Sequence, residues 1–171
     1  GSTGSGKSTL VKLMNRFYDV SRGSIEINGV DIRKYDLESL RAQVGYVAQK
    51  AHMFKGSIKS NICFGKPEAS DEEMHHAARV AQASDFISKR ENGYLDEIAE
   101  DGTNISGGQK QRLSIARVIL KKPSLYIYDD SFSALDFKTD ATLRKALKPE
   151  VKDAIFFVVA QRISTIMDSD M

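Results

Sequence analysis

The sequence predicts an α/β fold built on a parallel sheet. Three short apolar runs, at residues 44–48, 125–128 and 155–159, have the length and composition of buried strands. Apolar side chains recur at helical spacing between these runs, at residues 106–120 and 139–147. Because strands that alternate with helices along a chain typically form parallel sheets, these patterns indicate one sheet covered by helices.

Length and composition exclude several classes of protein. The chain has 171 residues, of which 41% are hydrophobic and 28% are charged, and 25 Lys and Arg against 23 Asp and Glu give a net charge of +2. These proportions are typical of one globular domain and exclude a disordered chain. The weak net charge argues against a nucleic-acid partner. Cys63 is the single cysteine, which excludes an internal disulfide.

Shorter patterns predict the remaining elements. Residues 24–32 alternate around Asn28-Gly29, a pair that is typical of the tight turn in a hairpin. We further expect helices at residues 7–18 and 37–41, and a loop at 93–102. Residues 57 to about 90 have a helical pattern throughout, and Asp71, Glu72 and Glu73 fit the first turn of a helix that continues through Val80.

The motif at the start of the chain is a phosphate-binding loop (P-loop). The first eight residues read Gly-Ser-Thr-Gly-Ser-Gly-Lys-Ser and match Gly-x-x-x-x-Gly-Lys-Ser/Thr at every defined position. Backbone N–H groups of such a loop surround phosphate oxygens, and the helix that follows presents its positive end to them. We expect Lys7 to contact the β- and γ-phosphates of a nucleotide and Ser8 to ligate Mg²⁺. The expected nucleotide-binding residues are Gly1, Ser2, Thr3, Gly4, Ser5, Gly6, Lys7, Ser8 and Thr9.

An aspartate follows the apolar run at 125–128. Asp129 would lie at the carboxyl end of a parallel strand, where α/β sheets bind their ligands. Such a residue is often only a helix cap, but next to a P-loop it fits the carboxylate that holds Mg²⁺.

Residues 104–109, Asn-Ile-Ser-Gly-Gly-Gln, are the most distinctive segment of the chain. Ser106 and Gln109 satisfy the capping box of a helix start, and the two glycines between them leave room for a phosphate. With Ser106, Gly107, Gly108 and Gln109 the chain resembles the ATP-binding cassette (ABC) family, whose signature is Ser-Gly-Gly-Gln preceded by Leu. The resemblance implies binding of ATP with Mg²⁺, and it implies that this helix end contacts the nucleotide on a partner's P-loop.

The resemblance continues in the family's order along nearly the whole chain. Gln49 fits the glutamine loop, which implies roles for this residue in metal binding and catalysis and in contact with a membrane domain. Residues 55–65 resemble the segment that follows this loop in exporters with fused membrane domains, and residues 97–102 resemble the loop before the signature. The D-loop, which crosses the dimer interface, is matched by Ser133, Ala134, Leu135 and Asp136.

A domain organisation follows from the same resemblance. It implies a partial nucleotide-binding domain over residues 1–171, with the P-loop core at 1–49 and 106–171 and a helical subdomain at about 50–105. A strand normally leads into a P-loop, and the chain begins with the loop itself, so we expect a domain truncated at both ends. The implied setting is the cytoplasmic face of the plasma membrane, next to the transmembrane domain of the same parent chain.

Two residues depart from the family's pattern at the hydrolytic site. Asp130 stands where the family usually has Glu as the general base, and withdrawing a carboxylate by about 1 Å can cost on the order of 100-fold in rate. Gln161 replaces the switch histidine, so it can donate a hydrogen bond to the γ-phosphate but cannot carry a proton. The pattern resembles heterodimeric multidrug-type exporters, in which one subunit contributes a degenerate site.

The sequence therefore predicts a domain that binds ATP, hydrolyses it weakly or not at all at its own site, and completes the site of a second nucleotide-binding domain. The alternative is a fully active homodimeric exporter ATPase that tolerates Asp130 and Gln161. An ATP-gated dimerisation module of the DNA-repair type would need a coiled-coil insertion, for which residues 50–105 are too few. Simple P-loop kinases and GTPases do not explain the signature and the D-loop together.

Overall fold

The structure, a computed structural model, describes residues 5–160. The helices are, in chain order, α1 (Lys7–Met14), α2 (Leu37–Gln43), α3 (Ile58–Ile62), α4 (Asp71–Val80), α5 (Ser84–Ile87), α6 (Gly107–Lys121) and α7 (Phe137–Glu150). The strands are β1 (Glu26–Ile27), β2 (Val30–Asp31), β3 (Val44–Val47), β4 (Gly56–Ser57), β5 (Glu97–Ile98), β6 (Leu125–Asp129) and β7 (Ile155–Val159). Within the described residues, no helix is long and apolar enough to span a membrane.

The predicted parallel sheet is confirmed. Strands β3, β6 and β7 form a sheet in that order, both pairings are parallel, and β6 lies at the centre. All five residues of β6 are buried, because successive side chains point to opposite faces and both faces are covered. Ile127 belongs to a core cluster with Val11 of α1 and Leu40 of α2. Tyr128 belongs to the larger cluster that α6 and α7 help to form.

The predicted hairpin is also present. Strands β1 and β2 pair antiparallel, and Ile27 lies opposite Val30. The intervening Asn28 and Gly29 have φ values of 53° and 73°. Two successive left-handed residues match the twist of a two-residue hairpin turn, which explains the choice of Asn-Gly here.

The helical pattern predicted over residues 57 to about 90 is confirmed in part, since the helix with Asp71, Glu72 and Glu73 in its first turn is α4 and ends at Val80. The structure divides this segment into α3, a 3₁₀ turn at Cys63–Gly65, α4 and α5. Pro67 lacks an N–H group and disfavours helix at the residue before it. Ser70 then starts α4 afresh through a capping box with Glu73.

Three smaller predictions also differ from the structure. The loop predicted over 93–102 contains β5, which pairs with β4 over two residues on each strand, too few to show a period in the sequence. Helix α1 ends at Met14 rather than at residue 18, and Arg16 just beyond it is left-handed, with a φ of 50°. Helix α7 is longer than predicted at both ends.

A half-buried cation connects α6 to the segment after Gln49. The guanidinium of Arg117 donates to the carbonyl oxygen of Asn61 at 2.8 Å. It also lies over the rings of Phe54 and Phe64, at 5.4 and 5.7 Å from their centroids, and these two rings stack on each other. Burial lowers the pKa of Arg117 to about 10. These contacts hold residues 54–64, which follow β3 in the chain, against the helix that begins at Gly107.

We expect Gly45→Ala to destabilise the fold. An added Cβ at Gly45, on β3, would lie 2.5 Å from Val118 Cγ1 and 2.6 Å from Pro123 Cγ. Such overpacking typically costs about 1–3 kcal/mol, because neighbouring atoms must move in a close-packed core. Urea denaturation of the purified protein measures this cost. The control is Gly65→Ala, whose added Cβ would meet Lys121 Cδ at 3.9 Å, an ordinary contact. Equal stability of the two variants would contradict the expectation.

Candidate functional site

Three chain segments meet at one edge of the sheet. The start of α1 lies next to the carboxyl ends of β3 and β6, since parallel strands end at the same edge. The Ser8 hydroxyl, in the first turn of α1, donates to Asp129 Oδ1 at 3.5 Å. The chain thus brings together two residues that the sequence predicts to share a metal ion, although 121 positions separate them.

The Asp129 carboxylate is buried and accepts a second hydroxyl. Only 5% of Asp129 is exposed. Its Oδ2 atom accepts a hydrogen bond from the Tyr46 hydroxyl of β3 at 3.4 Å. Burial, and secondarily the charge of Asp129, raise the pKa of Tyr46, so this hydroxyl is protonated at neutral pH and donates.

The described part of the P-loop leads directly into α1. Ser5 and Gly6 precede the helix, and Lys7, Ser8 and Thr9 form its first turn. The half-buried Lys7 donates from Nζ to the Ser5 hydroxyl at 2.9 Å. The other four predicted loop residues lie outside the described part of the chain; they are Gly1, Ser2, Thr3 and Gly4.

Asp130 lies beside Gln49. The Gln49 side chain donates from Nε2 to Asp130 Oδ2 at 3.1 Å. The backbone of Asp130 is held as well, because its N–H donates to the Val159 carbonyl at 2.8 Å and its carbonyl accepts from the Ser133 hydroxyl at 2.7 Å. Gln161, the other residue that departs from the family, lies outside the described residues.

The signature residues form the capped start of α6. Ser106 accepts the N–H of Gln109 at its hydroxyl, 3.2 Å away, and the Gln109 side chain accepts the N–H of Ser106 at 2.9 Å. This reciprocal capping leaves Ser106 and Gly107 exposed at the helix end. Ile105, in the position where the family has Leu, is 8% exposed and packs in the larger core cluster. An apolar side chain is what that position requires.

The D-loop lies between β6 and α7 in the chain and contacts the start of the signature helix α6. Ser133 binds the Asp130 carbonyl, and Leu135 is buried. An added Cβ at Gly108 would lie 3.3 Å from the carbonyl oxygen of Ala134, so the two loops are in close contact. Asp136 caps α7 and accepts the Thr139 hydroxyl at 2.6 Å and the Thr139 N–H at 2.9 Å. These hydrogen bonds, the one from the hydroxyl first, lower the pKa of Asp136.

Sequence reasoning missed three polar residues that support this edge. Tyr46 orients Asp129, as described above. The Ser131 hydroxyl donates to the Val47 carbonyl at 2.8 Å, and the Gln111 side chain donates to the Ala48 carbonyl at 3.2 Å. Gln111 is 1% exposed and Ser131 is fully buried. For Tyr46 the sequence does contain a signal, because its hydroxyl is a polar group within the apolar run at 44–48.

The donor atoms at this edge suit Mg²⁺. A hydroxyl from Ser8, a carboxylate from Asp129 and the amide oxygen of Gln49 are all hard oxygen ligands, the kind that Mg²⁺ prefers. The NH₂ group of Gln49 is already used on Asp130, so the oxygen of the same amide is the atom left for a metal. Mg²⁺ in proteins commonly takes one or two carboxylates together with phosphate oxygens, and one buried carboxylate beside a P-loop fits this pattern.

Known proteins are similar in sequence to this chain. A family model described as ABC transporter matches residues 1–133. YgaD of Bacillus subtilis (strain 168), a putative multidrug export ATP-binding/permease protein, is 49% identical over 170 residues, which cover 99% of this chain and 29% of that protein. Heavy metal tolerance factor 1 of Caenorhabditis elegans is 44% identical over 171 residues, which cover 100% of this chain and 21% of that protein.

The fold is shared as well. A solved structure of a bacterial Atm1-family ABC exporter with ATP bound superimposes with a TM-score of 0.96 at 39% identity, over 99% of this chain and 30% of that one. The chain thus spans less than a third of the length of these relatives. Its mixed α/β fold with a parallel sheet is the ABC ATPase fold. Since the family match extends over 133 of 171 residues, the chain belongs to the ABC transporter family.

Proposed function

We propose that the chain is the nucleotide-binding domain of an ABC exporter and that it binds ATP with Mg²⁺ at the P-loop edge of the sheet. The observation that carries this proposal is the contact between Ser8 and the buried Asp129, which joins the P-loop helix to the strand carboxylate. Burying the charge of a carboxylate costs free energy, which hydrogen bonds or a bound cation must offset. A hydroxyl and a carboxylate beside a P-loop suit a metal–phosphate complex that would supply such a cation.

Each residue at this edge has its own part in the proposed mechanism. Backbone N–H groups of the P-loop and the Lys7 ammonium bind and orient the phosphates. Ser8, Asp129 and Gln49 would hold Mg²⁺, which when bound would supply positive charge that stabilises the transferring phosphoryl group. Asp130 faces the attacking water, and its side chain also accepts from Gln49. A substitution of Gln49 would therefore affect both the binding of the metal and the positioning of the attacking water.

We infer that hydrolysis at this chain's own site is impaired. Asp130 is one methylene shorter than the usual Glu, and the hydrogen bonds that hold its backbone and its carboxylate limit any shift of the residue toward a nucleotide. Gln161, in the place of the switch histidine, cannot carry a proton. Both departures act on the same nucleotide, which favours a degenerate site over independent drift.

The partners in this proposal are a second nucleotide-binding domain and a membrane domain. The exposed end of α6 is free to meet the γ-phosphate on the partner's P-loop, so that each site combines one chain's P-loop with the other chain's signature. We propose that the pair is a heterodimer. The names of several relatives include both an ATP-binding part and a permease, which supports a transmembrane domain in the same parent chain and a position at the cytoplasmic face of the plasma membrane.

We expect Lys7→Ala to weaken ATP binding about 10- to 100-fold, because hydrogen bonds to charged groups contribute about 1.5–3 kcal/mol each. Isothermal titration calorimetry with Mg²⁺ and ATP measures the change. Lys12→Ala is the matched control, since Lys12 is an exposed lysine on the same helix. The site assignment fails if Lys7→Ala binds ATP as tightly as the control variant does.

A further inference from the structure

Tyr46 lies at the P-loop edge, and neither the motifs nor the proposed mechanism uses it. It lies on β3 opposite Ile127 of β6, and because residues two apart on a strand share a face, Tyr46 lies on the same face of the sheet as Asp129. There its hydroxyl donates to Asp129 Oδ2 at 3.4 Å. The other carboxylate oxygen, Oδ1, accepts from Ser8. Each of the two carboxylate oxygens of Asp129 thus accepts one hydroxyl.

The Tyr46 ring is itself held in place. It packs edge-on against the ring of Phe17, with centroids 5.8 Å apart and an angle of 73° between the planes. Its backbone is paired to β6 in the parallel ladder. A half-buried ring that is fixed by packing and by a strand presents its hydroxyl in one direction. Tyr46 can therefore restrict rotation of the Asp129 carboxylate.

A tyrosine differs from a lysine or arginine in this position. Its O–H group is a neutral donor, so it orients the carboxylate without cancelling the negative charge that attracts a cation. Groups that orient metal-binding carboxylates in this way affect metal affinity about 10- to 100-fold when they are removed.

We propose that Tyr46 is a positioning residue for the metal site, which holds Asp129 in the orientation that binds Mg²⁺ beside the nucleotide. This inference rests on the proposed function, since it assumes that Asp129 and Ser8 hold a metal–ATP complex. It adds a residue that acts through Asp129 and touches neither the nucleotide nor the metal.

The experiment compares ATP affinity with and without the metal. Calorimetry of the complete protein gives the Kd for ATP in excess Mg²⁺ and again in excess EDTA, and the ratio of the two values measures what the metal contributes. We expect Tyr46→Phe, which keeps the ring and removes the hydroxyl, to reduce this ratio about tenfold, while the Kd in EDTA stays at the wild-type value.

Tyr128→Phe is the matched control. It removes a hydroxyl from the neighbouring strand β6, and among the described residues that hydroxyl is buried without a hydrogen-bond partner. We expect this variant to keep the wild-type ratio. If Tyr46→Phe weakens binding equally in Mg²⁺ and in EDTA, or keeps the wild-type ratio, the positioning role is overturned while the proposed function stands. If Mg²⁺ does not strengthen ATP binding by the wild-type protein, the proposed metal site is overturned, and the role of Tyr46 with it.

Discussion

Gly107→Asp is expected to lower ATP hydrolysis at the partner's site by about 100-fold or more. Fixed donors that face developing negative charge contribute on the order of 10²–10³ in rate, and a carboxylate in their place repels the γ-phosphate. Within its own chain the change is harmless, because Gly107 is exposed and an added Cβ there meets nothing within 4 Å. An acidic residue in the first turn of α6 also interacts favourably with the helix dipole. Unfolding therefore does not explain a loss of activity.

The neighbouring glycine gives a less direct test. An added Cβ at Gly108 would lie 3.3 Å from the Ala134 carbonyl, so an aspartate there would disturb the D-loop of the same chain as well as the partner's nucleotide. Steady-state ATPase of the assembled protein is the measurement for Gly107→Asp, with ATP binding by the variant chain measured alongside. Gly107→Ala adds bulk without charge and serves as the control, with a much smaller loss expected. The proposed role of the signature in the partner's site is wrong if Gly107→Asp leaves hydrolysis intact, or if it abolishes ATP binding by its own P-loop.

Much of the sheet could be predicted because each of its strands is a continuous apolar run. Strands β3, β6 and β7 each lie within one residue of the predicted bounds. The segment over 57–90 could not be predicted in the same way. Its helical periodicity is real in α4, but the breaks depend on Pro67 and on a new cap at Ser70. The pairing of β4 with β5 depends on tertiary contact alone, since two residues carry no period.

Some contacts of the candidate site could be predicted from the sequence and others could not. Ser8 and Asp129 could be placed together, because motif spacing and the rule for strand ends fix both positions. The hydrogen bonds from Gln49 to Asp130 and from Tyr46 to Asp129 could not be predicted, because they depend on strand register and on side-chain conformation. The sequence predicts that Tyr46 lies within a strand, whereas its pairing with Ile127 and its hydrogen bond place it beside Asp129 on the same face of the sheet.

The double change Asp130→Glu with Gln161→His is expected to raise hydrolysis at this chain's own site by about 100-fold. Glutamate supplies the reach of about 1 Å that Asp130 lacks, and misplacement of that size can cost on the order of 10² in rate. The Val159 carbonyl and the Ser133 hydroxyl hold the backbone of residue 130 in place. The longer side chain of glutamate would therefore bring its carboxylate closer to the nucleotide. Histidine at 161 would supply a γ-phosphate contact with a proton that titrates near neutral pH.

The two changes should be strongly non-additive, with little gain from either alone, because both residues act on one nucleotide. The measurement is turnover at this single site, in an assembly whose other site has been silenced at its catalytic Glu. Asp130→Asn is the control, because it keeps the length of the side chain and removes the base, and it should abolish what hydrolysis the wild-type site retains. If the wild-type site already turns over as fast as the double variant, then Asp130 and Gln161 are adequate as they stand. The proposal of a degenerate site would then give way to the alternative of a fully active homodimeric exporter ATPase.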